Sequence, residues 1–572
     1  MPLVPIQLPP GVARGSTAYD YPDRWYDMNL VRWHGGIAQP IGGWQRLNET
    51  PFDNIIRKLH CWRSSAAQRF ILAATKDKVL TDDSGTWTNI TPSGMASLDA
   101  VGAYGYGVYQ YGKETYGTAR SVPSTLYTSF AFYTFANWGE DVVFVNSSDG
   151  NLYYYDITNP TTAATQVGKF TISSISRTSN VTTVTTSSSH FLTSGESVIV
   201  AGVADNTFNG TFTVTVTGST TFTYPNTGTD GSSSGGTVRD TTVPIGNRSV
   251  AVSNERHVFL LGVAGNPRRL GWSSREDYTD WNFSSVTNTA GYVDLETQTP
   301  LLKAVNVREG LLVFSESDVF LVRYIGLPFV YSVEKLGASS VLSPDMIATF
   351  DGKAMWFDQS GFMVYEGGSI RPVPCPVLDF FKSDINLTYA PAVSHASENG
   401  VFDECWFFYP SADNTECDKY VIFNYNEGWW GIGSLSRSAA YPAGANQFPL
   451  MAGSDLNLYG HEDGWTDAGN SRVGDIWVET SALSVGQGDR NFEVKQMLPA
   501  TGFGYNTLQT TVYGRQTPEG SERTFGPYTP RSNGYMDMRV TARDIRVRFE
   551  ATQDGDWGIG KMRLEVAPGA GR

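Results

Sequence analysis

Residues 301–326, "LLKAVNVREGLLVFSESDVFLVRYIG", read as two short strands about a turn: 311–314 are apolar, 315–318 are polar, and 319–324 resume with β-branched and aromatic side chains. The next unit repeats the plan. An apolar run at 347–350 meets a turn at Asp351, Gly352 and Lys353, then comes "AMWFD" at 354–358, a second turn, and "FMVYEGG" at 362–368. A third unit spans 402–433, "FDECWFFYPSADNTECDKYVIFNYNEGWWGIG". Short apolar runs punctuated by Gly, Asp, Asn and Ser, with no helical heptads between them, predict an all-β chain of consecutive antiparallel blades. The expected fold is a β-propeller of about six blades.

Working outward, 55–62 "IIRKLHCW" and 69–92 "RFILAATKDKVLTDDSGTWTNITP" read as a first blade. Thr81, Asp83, Gly85 and Trp87 come within one residue of the turn motif S/T-x-D-x-G-x-T/S-W, so Asp83 is expected to cap a hairpin and Trp87 to seal a sheet edge. "FAFYTFANWGEDVVFVNSSDGNLYYYD" at 130–156 is another strand–turn–strand unit. Between them lies a Gly/Tyr loop, 102–120, with Tyr104, Tyr106, Tyr109, Tyr111 and Tyr116. Gln110 stands where a phosphate-cradling GxGxxG needs glycine, so the loop reads as a surface whose tyrosines lie against a neighbour.

Residues 169–238 differ in composition: rich in Ser and Thr, poor in charge, and alternating so that Phe212, Val214 and Val216 share one face. This stretch is expected to be a small β-sandwich module inserted into a blade loop. The N-terminal segment is dense in Trp and Arg, the residues that anchor interfaces. Arg24, Trp25, Arg32, Trp33 and Trp44 are therefore candidates for a docking arm, or for a leading strand packed on the first blade. Near the C-terminus, Ile545, Val547 and Phe549 alternate with Arg546, Arg548 and Glu550. Together with Arg539 and Arg543 these arginines form the most basic patch of the sequence, read as a charge-blunted edge strand or as a seam against an acidic neighbour. The expected order is a docking arm at 1–50, propeller at 51–167, the module at 168–240, and propeller again at 241–514. The strands of 515–572 then close the propeller or form a subunit seam.

The chain has 572 residues and a net charge of −15, which argues against a sequestering nucleic-acid binder. Cys61, Cys375, Cys405 and Cys417 form no CxxC pair, and the six histidines are scattered, so no metal-binding or cofactor-binding pattern is found. No GxSxG elbow is present, and the acidic pairs read as turn residues, so no catalytic residue is assigned. The N-terminus lacks the pattern of a signal peptide and no stretch reaches transmembrane length, which implies synthesis in a cytoplasm.

An ordered series of segments carries a resemblance. "RWYDMNLVRWHGG", "IGGWQRL", "TYGTAR", "FANWGEDVVFVN", "YTDWNFSSVTNTAGYVDL", "LLVFSESDVFLVRYIGLPFVYSVEKLG", "MWFDQSGFMVYEGGSIRPVPCPV" and "DECWFFYP" follow one another as they do in the tail nozzle (tail tubular B-type, or DNA stabilisation) proteins of short-tailed bacteriophages. The resemblance covers most of the chain outside the insert, which itself resembles an immunoglobulin-like module. It implies a homohexamer in the virion tail, below a tail adaptor protein, that supports a tail fibre or tailspike. Double-stranded DNA would pass through the lumen without sequence-specific binding. A protein gripping some 6–10 phosphates shows a roughly 10³–10⁵-fold salt dependence, and such a grip would arrest the genome, whereas an acidic lumen lets duplex slide. A sialidase-like or glycan-binding propeller is the second reading, from the partial turn motif and the abundant aromatics.

Overall fold

The computed structural model describes residues 3–15, 17–83, 85–98, 101–102, 127–484, 491–501, 508–517 and 520–569. The chain divides into two compact units, residues 62–341 and residues 1–61 with 342–572. Helix among the described residues is confined to Leu378–Asp384, Ala390–Val393 and a 3-10 turn at Asn206–Phe208; strands form the rest of the framework.

Four-stranded antiparallel meanders are the recurring element. In residues 62–341 one runs through Tyr133–Trp138, Asp141–Asn146, Leu152–Tyr155 and Thr165–Gln166. A second has Ser249–Val252, Val258–Leu261, Arg269–Trp272 and Gly291–Asp294, and a third Leu301–Val307, Gly310–Ser315, Asp318–Gly326 and Val330–Ala338. A fourth, Lys58–Arg63, Arg69–Ala74, Val79–Asp83 and Thr86–Asn89, begins where the two units meet in the chain. The second unit holds Ile347–Phe350 to Ser369–Pro372, then His395–Asn399 to Trp430–Ser434, then a sheet of Ala439–Tyr441, Leu450–Ala452 and Leu458–His461. That last sheet takes its fourth strand, Trp44–Arg46, from the N-terminal segment.

The described residues thus hold seven four-stranded sheets. The sheet completed by Trp44–Arg46 was illegible because three of its strands are three residues long and the outer one pairs across more than 410 positions in sequence.

Inner strands such as Gly310–Ser315 and Glu404–Tyr409 are buried along almost their whole length. A strand covered on both faces must be apolar at consecutive positions, which explains the continuous runs "LLVF" and "CWFFY". In residues 62–341 the sheets pack in chain order. Phe70 and Leu72 meet Phe144 and Tyr153, Val143 and Val145 meet Val258 and Leu260, and Phe259 and Leu270 meet Val313 and Phe320.

Residues 169–240 form one eight-stranded sheet in which the long strand Lys169–Thr178 pairs with three others. Its own core includes Ile175, Val198, Phe208, Val214, Phe222 and Val238. Val214 is buried and Phe212 and Val216 half-buried, while Thr211, Thr213, Thr215 and Thr217 are exposed. The chain enters and leaves side by side: Asp240 N–H donates to the Gly168 carbonyl at 2.7 Å.

The C-terminal strands pair with the N-terminal ones in two six-stranded sheets. One runs Val31–His34, Ile37–Pro40, Ile559–Pro568, Phe492–Thr501, Met536–Ala542, with Leu3–Ile6 against Ile559–Pro568. The other runs Trp25–Asn29, Trp477–Thr480, Asp544–Ala551, Leu508–Arg515, Arg523–Tyr528, with Leu483–Ser484 against Asp544–Ala551. Their inner faces share one apolar cluster.

Candidate functional site

The Trp/Arg segment lies inside its own unit. Trp25 and Trp33 are buried with ring centroids 6.2 Å apart, and Trp33 meets Trp429 edge-on at 5.4 Å. Trp25 also meets Phe549 at 6.5 Å. Arg24 is half-buried, its backbone tied to Ser481. The strands of Trp25 and Trp33 pair within the sheets that hold the C-terminal strands and are not strands of the first meander.

Arg32 is wholly buried between two carboxylates. It donates to Glu404 through Nε at 2.9 Å and Nη2 at 3.0 Å, and to Glu462 through Nη1 at 2.9 Å and Nη2 at 2.5 Å, with its guanidinium 3.7 Å from the Phe402 ring centre. Burial disfavours the Arg32 cation, but Glu404 and Glu462 outweigh it and hold the pKa above the ordinary arginine value. Burial pushes Glu404 up to about 7 against the pull of Arg32. Trp44 donates to Asp467, stacks on His461 at 5.0 Å, and has Arg437 and Arg472 at 4.9 and 5.0 Å. Arg437 Nε donates to His461 Nε2 at 2.9 Å; burial first, then these arginines, keep His461 neutral, well below its usual pKa. Gly43 admits this packing, since a Cβ there would stand 2.5 Å from the Thr466 carbonyl oxygen. The arm is an internal clasp.

The basic patch is split between sheets. Arg546 pairs with Glu479 and with Glu522, the latter at 2.9 and 2.7 Å, and Glu522 also accepts from Tyr19 OH at 2.6 Å. Arg548 donates to Glu550 at 2.6 Å and covers Trp477 at 4.0 Å. Arg539 is exposed on Met536–Ala542, in the other sheet, and Arg543 is half-buried in the turn between the two strands. Tyr104, Tyr106, Tyr109, Tyr111 and Tyr116 lie outside the described residues. The turn after Val79–Asp83 is held by Asp82, whose Oδ1 accepts from Gly85 N–H at 2.7 Å, one residue before the Asp83 of the motif reading. All four cysteines are free thiols.

A cavity of about 510 Å³ opens where residues 169–240 join their sheet, lined by Tyr154, Asp156, Lys169, His190, Asp240 and Tyr278 among others. Tyr154 and Tyr278 stack at 4.4 Å. The polar groups turn to their own loops: Asp156 accepts from Thr158, Asp240 from Thr242, and His190 Nδ1 from Leu192 N–H. Burial raises Asp240 to about 6. Among the described residues no three His, Cys, Asp or Glu side chains group to hold a metal ion, and no helix is long and apolar enough to cross a membrane.

Sequence reasoning missed the end of the hairpin Asp318–Gly326/Val330–Ala338. Ile325, Leu327 and Phe329 are 55%, 73% and 75% exposed. The signal was present in "YIGLPFVY", where Gly and Pro interrupt an apolar run and turn it outward. The hairpin base is fixed: Tyr331 OH lies 2.9 Å from both Ser253 Oγ and His257 Nδ1, and His257 Nε2 lies 3.1 Å from Thr289 Oγ1.

No protein-family model and no curated protein matches the chain. Among solved structures, Kluyveromyces lactis Hsv2 is 10% identical over 67% of this chain and 98% of its own, with a TM-score of 0.24. YCF48 from Cyanidioschyzon merolae is 7% identical over 73% and 98%, at 0.27. The phage phi92 endosialidase is 11% identical over 82% and 69%, at 0.23. At such scores these likenesses carry no argument, and the fold is read from the sheets themselves.

Proposed function

We propose that the chain is a virion structural protein, one subunit of a hexameric tail nozzle that conducts duplex DNA. Its meanders are read as β-propeller blades and residues 169–240 as an immunoglobulin-like insert. The ordered series of nozzle-like segments carries the reading, and several of its described members fall on framework strands. "FANWGEDVVFVN" supplies most of Tyr133–Trp138 and all of Asp141–Asn146, "LLVFSESDVFLVRYIG" supplies all but the first residue of Gly310–Ser315 and all of Asp318–Gly326, and "DECWFFYP" supplies Glu404–Tyr409.

The charge of −15 per copy suits a conduit that repels phosphate. A closed ring requires two different surfaces meeting head to tail, and the adaptor and a fibre or tailspike would occupy its two ends. Electron microscopy and mass measurement of the purified chain, alone and mixed with the tail adaptor of the same virion, test the reading. Sixfold rings containing six copies of 62.6 kDa are expected. A monomer under both conditions that is retained on immobilised glycans would overturn it in favour of a glycan-binding propeller.

A further inference from the structure

We propose that the end of the hairpin at residues 325–329 inserts into the interfacial layer of a lipid bilayer, an inference independent of the ring. Three large side chains within five residues, Ile325, Leu327 and Phe329, are each more than half exposed. Between Arg323 and Glu334 the sequence holds no carboxylate, ammonium or guanidinium group. Arg323 and Glu334 themselves form an ion pair at 3.1 Å, a neutral collar below the apolar end. Tyr324, 40% exposed, sits at this border, where a ring with a polar tip suits a membrane–water interface.

The end is presented ready-shaped. Val330 holds φ at 60°, uncommon for a β-branched residue, yet its side chain is buried and the next residue, Tyr331, is fixed by Ser253 and His257. A preorganised apolar end loses little conformational freedom on binding. Four residues beyond Arg323, at about 3.3 Å each, extend far enough for the roughly 5–10 Å depth of interfacial insertion.

Lipid is favoured as the occupant because the cap and collar carry no net charge while the chain carries −15. Anionic headgroups would repel the chain as a whole, so attachment has to come from apolar insertion and be insensitive to salt. Flotation of the full chain with phosphatidylcholine vesicles, with and without added phosphatidylglycerol, reads this directly. Flotation with phosphatidylcholine alone, unchanged by salt, is expected. Leu327→Asp with Phe329→Asp should reduce the floating fraction at least tenfold and leave the circular dichroism unaltered, whereas Val286→Asp, at a site 97% exposed elsewhere, should float like the parent. Phe329→Trp should show blue-shifted emission quenched by brominated lipid. A parent that stays unbound, or a double variant that floats equally well, overturns the proposal. So does a parent that ignores vesicles but self-associates through these two side chains, which would assign the end to a second copy.

Discussion

Arg32 and Glu404, 372 positions apart, meet as a two-pronged buried pair, Nε to Oε1 at 2.9 Å and Nη2 to Oε2 at 3.0 Å. The pair ties an N-terminal strand to the inner strand Glu404–Tyr409, and Glu462 extends the tie to the sheet completed by Trp44–Arg46. Removing the cation strands two carboxylates in the interior. Arg32→Met should therefore destabilise the chain by ~3–5 kcal/mol, read by denaturant or thermal unfolding. Adding Glu404→Gln and Glu462→Gln should recover part of the loss, since the stranded charges are then gone. An unfolding midpoint unmoved by Arg32→Met would show that the clasp contributes nothing.

Burial lowers His257 and His395 to about 4 and takes His461 well below its usual value. A histidine held neutral in the fold but free to protonate when unfolded contributes stability that is full above about pH 6.5 and declines toward pH 4, by at most ~1.4 kcal/mol per pH unit. Glu404, raised to about 7, acts in the opposite sense, as does Asp240 at about 6: their contribution falls as pH rises through those values. Comparing parent with variant isolates one group. His395→Asn keeps a donor toward the Val393 carbonyl that His395 Nδ1 contacts at 3.2 Å. The parent's advantage over this variant should shrink between pH 6.5 and 4. A constant gap across that window contradicts the assignment of a neutral buried imidazole.

Local pattern carried much of the fold. Runs such as "LLVF" and "AMWF" mark strands buried on both faces, and turn residues between them set hairpins one after another, so strand–turn–strand units were legible from neighbouring residues. Long-range closure was not. Nothing local to Trp44 says that it pairs with His461, or that Trp25–Asn29 pairs with Trp477–Thr480. The same gap affected the candidate sites. A Trp/Arg-rich segment looks alike whether its partner is another chain or a strand hundreds of residues downstream. Arg546 and Arg548 read as a basic stripe because Glu479 and Glu522, which neutralise Arg546, come from other strands or loops. The apolar end at Ile325, Leu327 and Phe329 was passed over, although Gly326 and Pro328 interrupt the apolar run there.

Residues 169–240 own a separate core, and their ends are joined by the Asp240 to Gly168 hydrogen bond. Removing 169–240 and bridging Gly168 to Thr241 with a short Gly/Ser linker should leave the remaining sheets folded, because closing a short gap between adjacent ends costs little entropy. Circular dichroism and limited proteolysis of the shortened chain provide the check. Global unfolding would mean that the module is an integral part of its neighbours' core.

The arginines near the C-terminus divide the roles of stability and DNA contact. Arg546 is already matched by Glu479 and Glu522 within the chain, while Arg539 is exposed on the other sheet. Arg546→Gln should lower stability by ~2–3 kcal/mol through loss of charge-assisted hydrogen bonds, and Arg539→Gln should change it by less than ~0.5 kcal/mol. A cation already matched by two carboxylates does not displace the counterions condensed on DNA, so Arg546→Gln should not alter duplex binding or its salt slope at low ionic strength. Unfolding curves and a duplex titration on the same two proteins separate the cases. If Arg546→Gln abolished DNA binding and left the unfolding midpoint unchanged, the arginine would face the nucleic acid, and a conduit that works by repulsion would have to be given up.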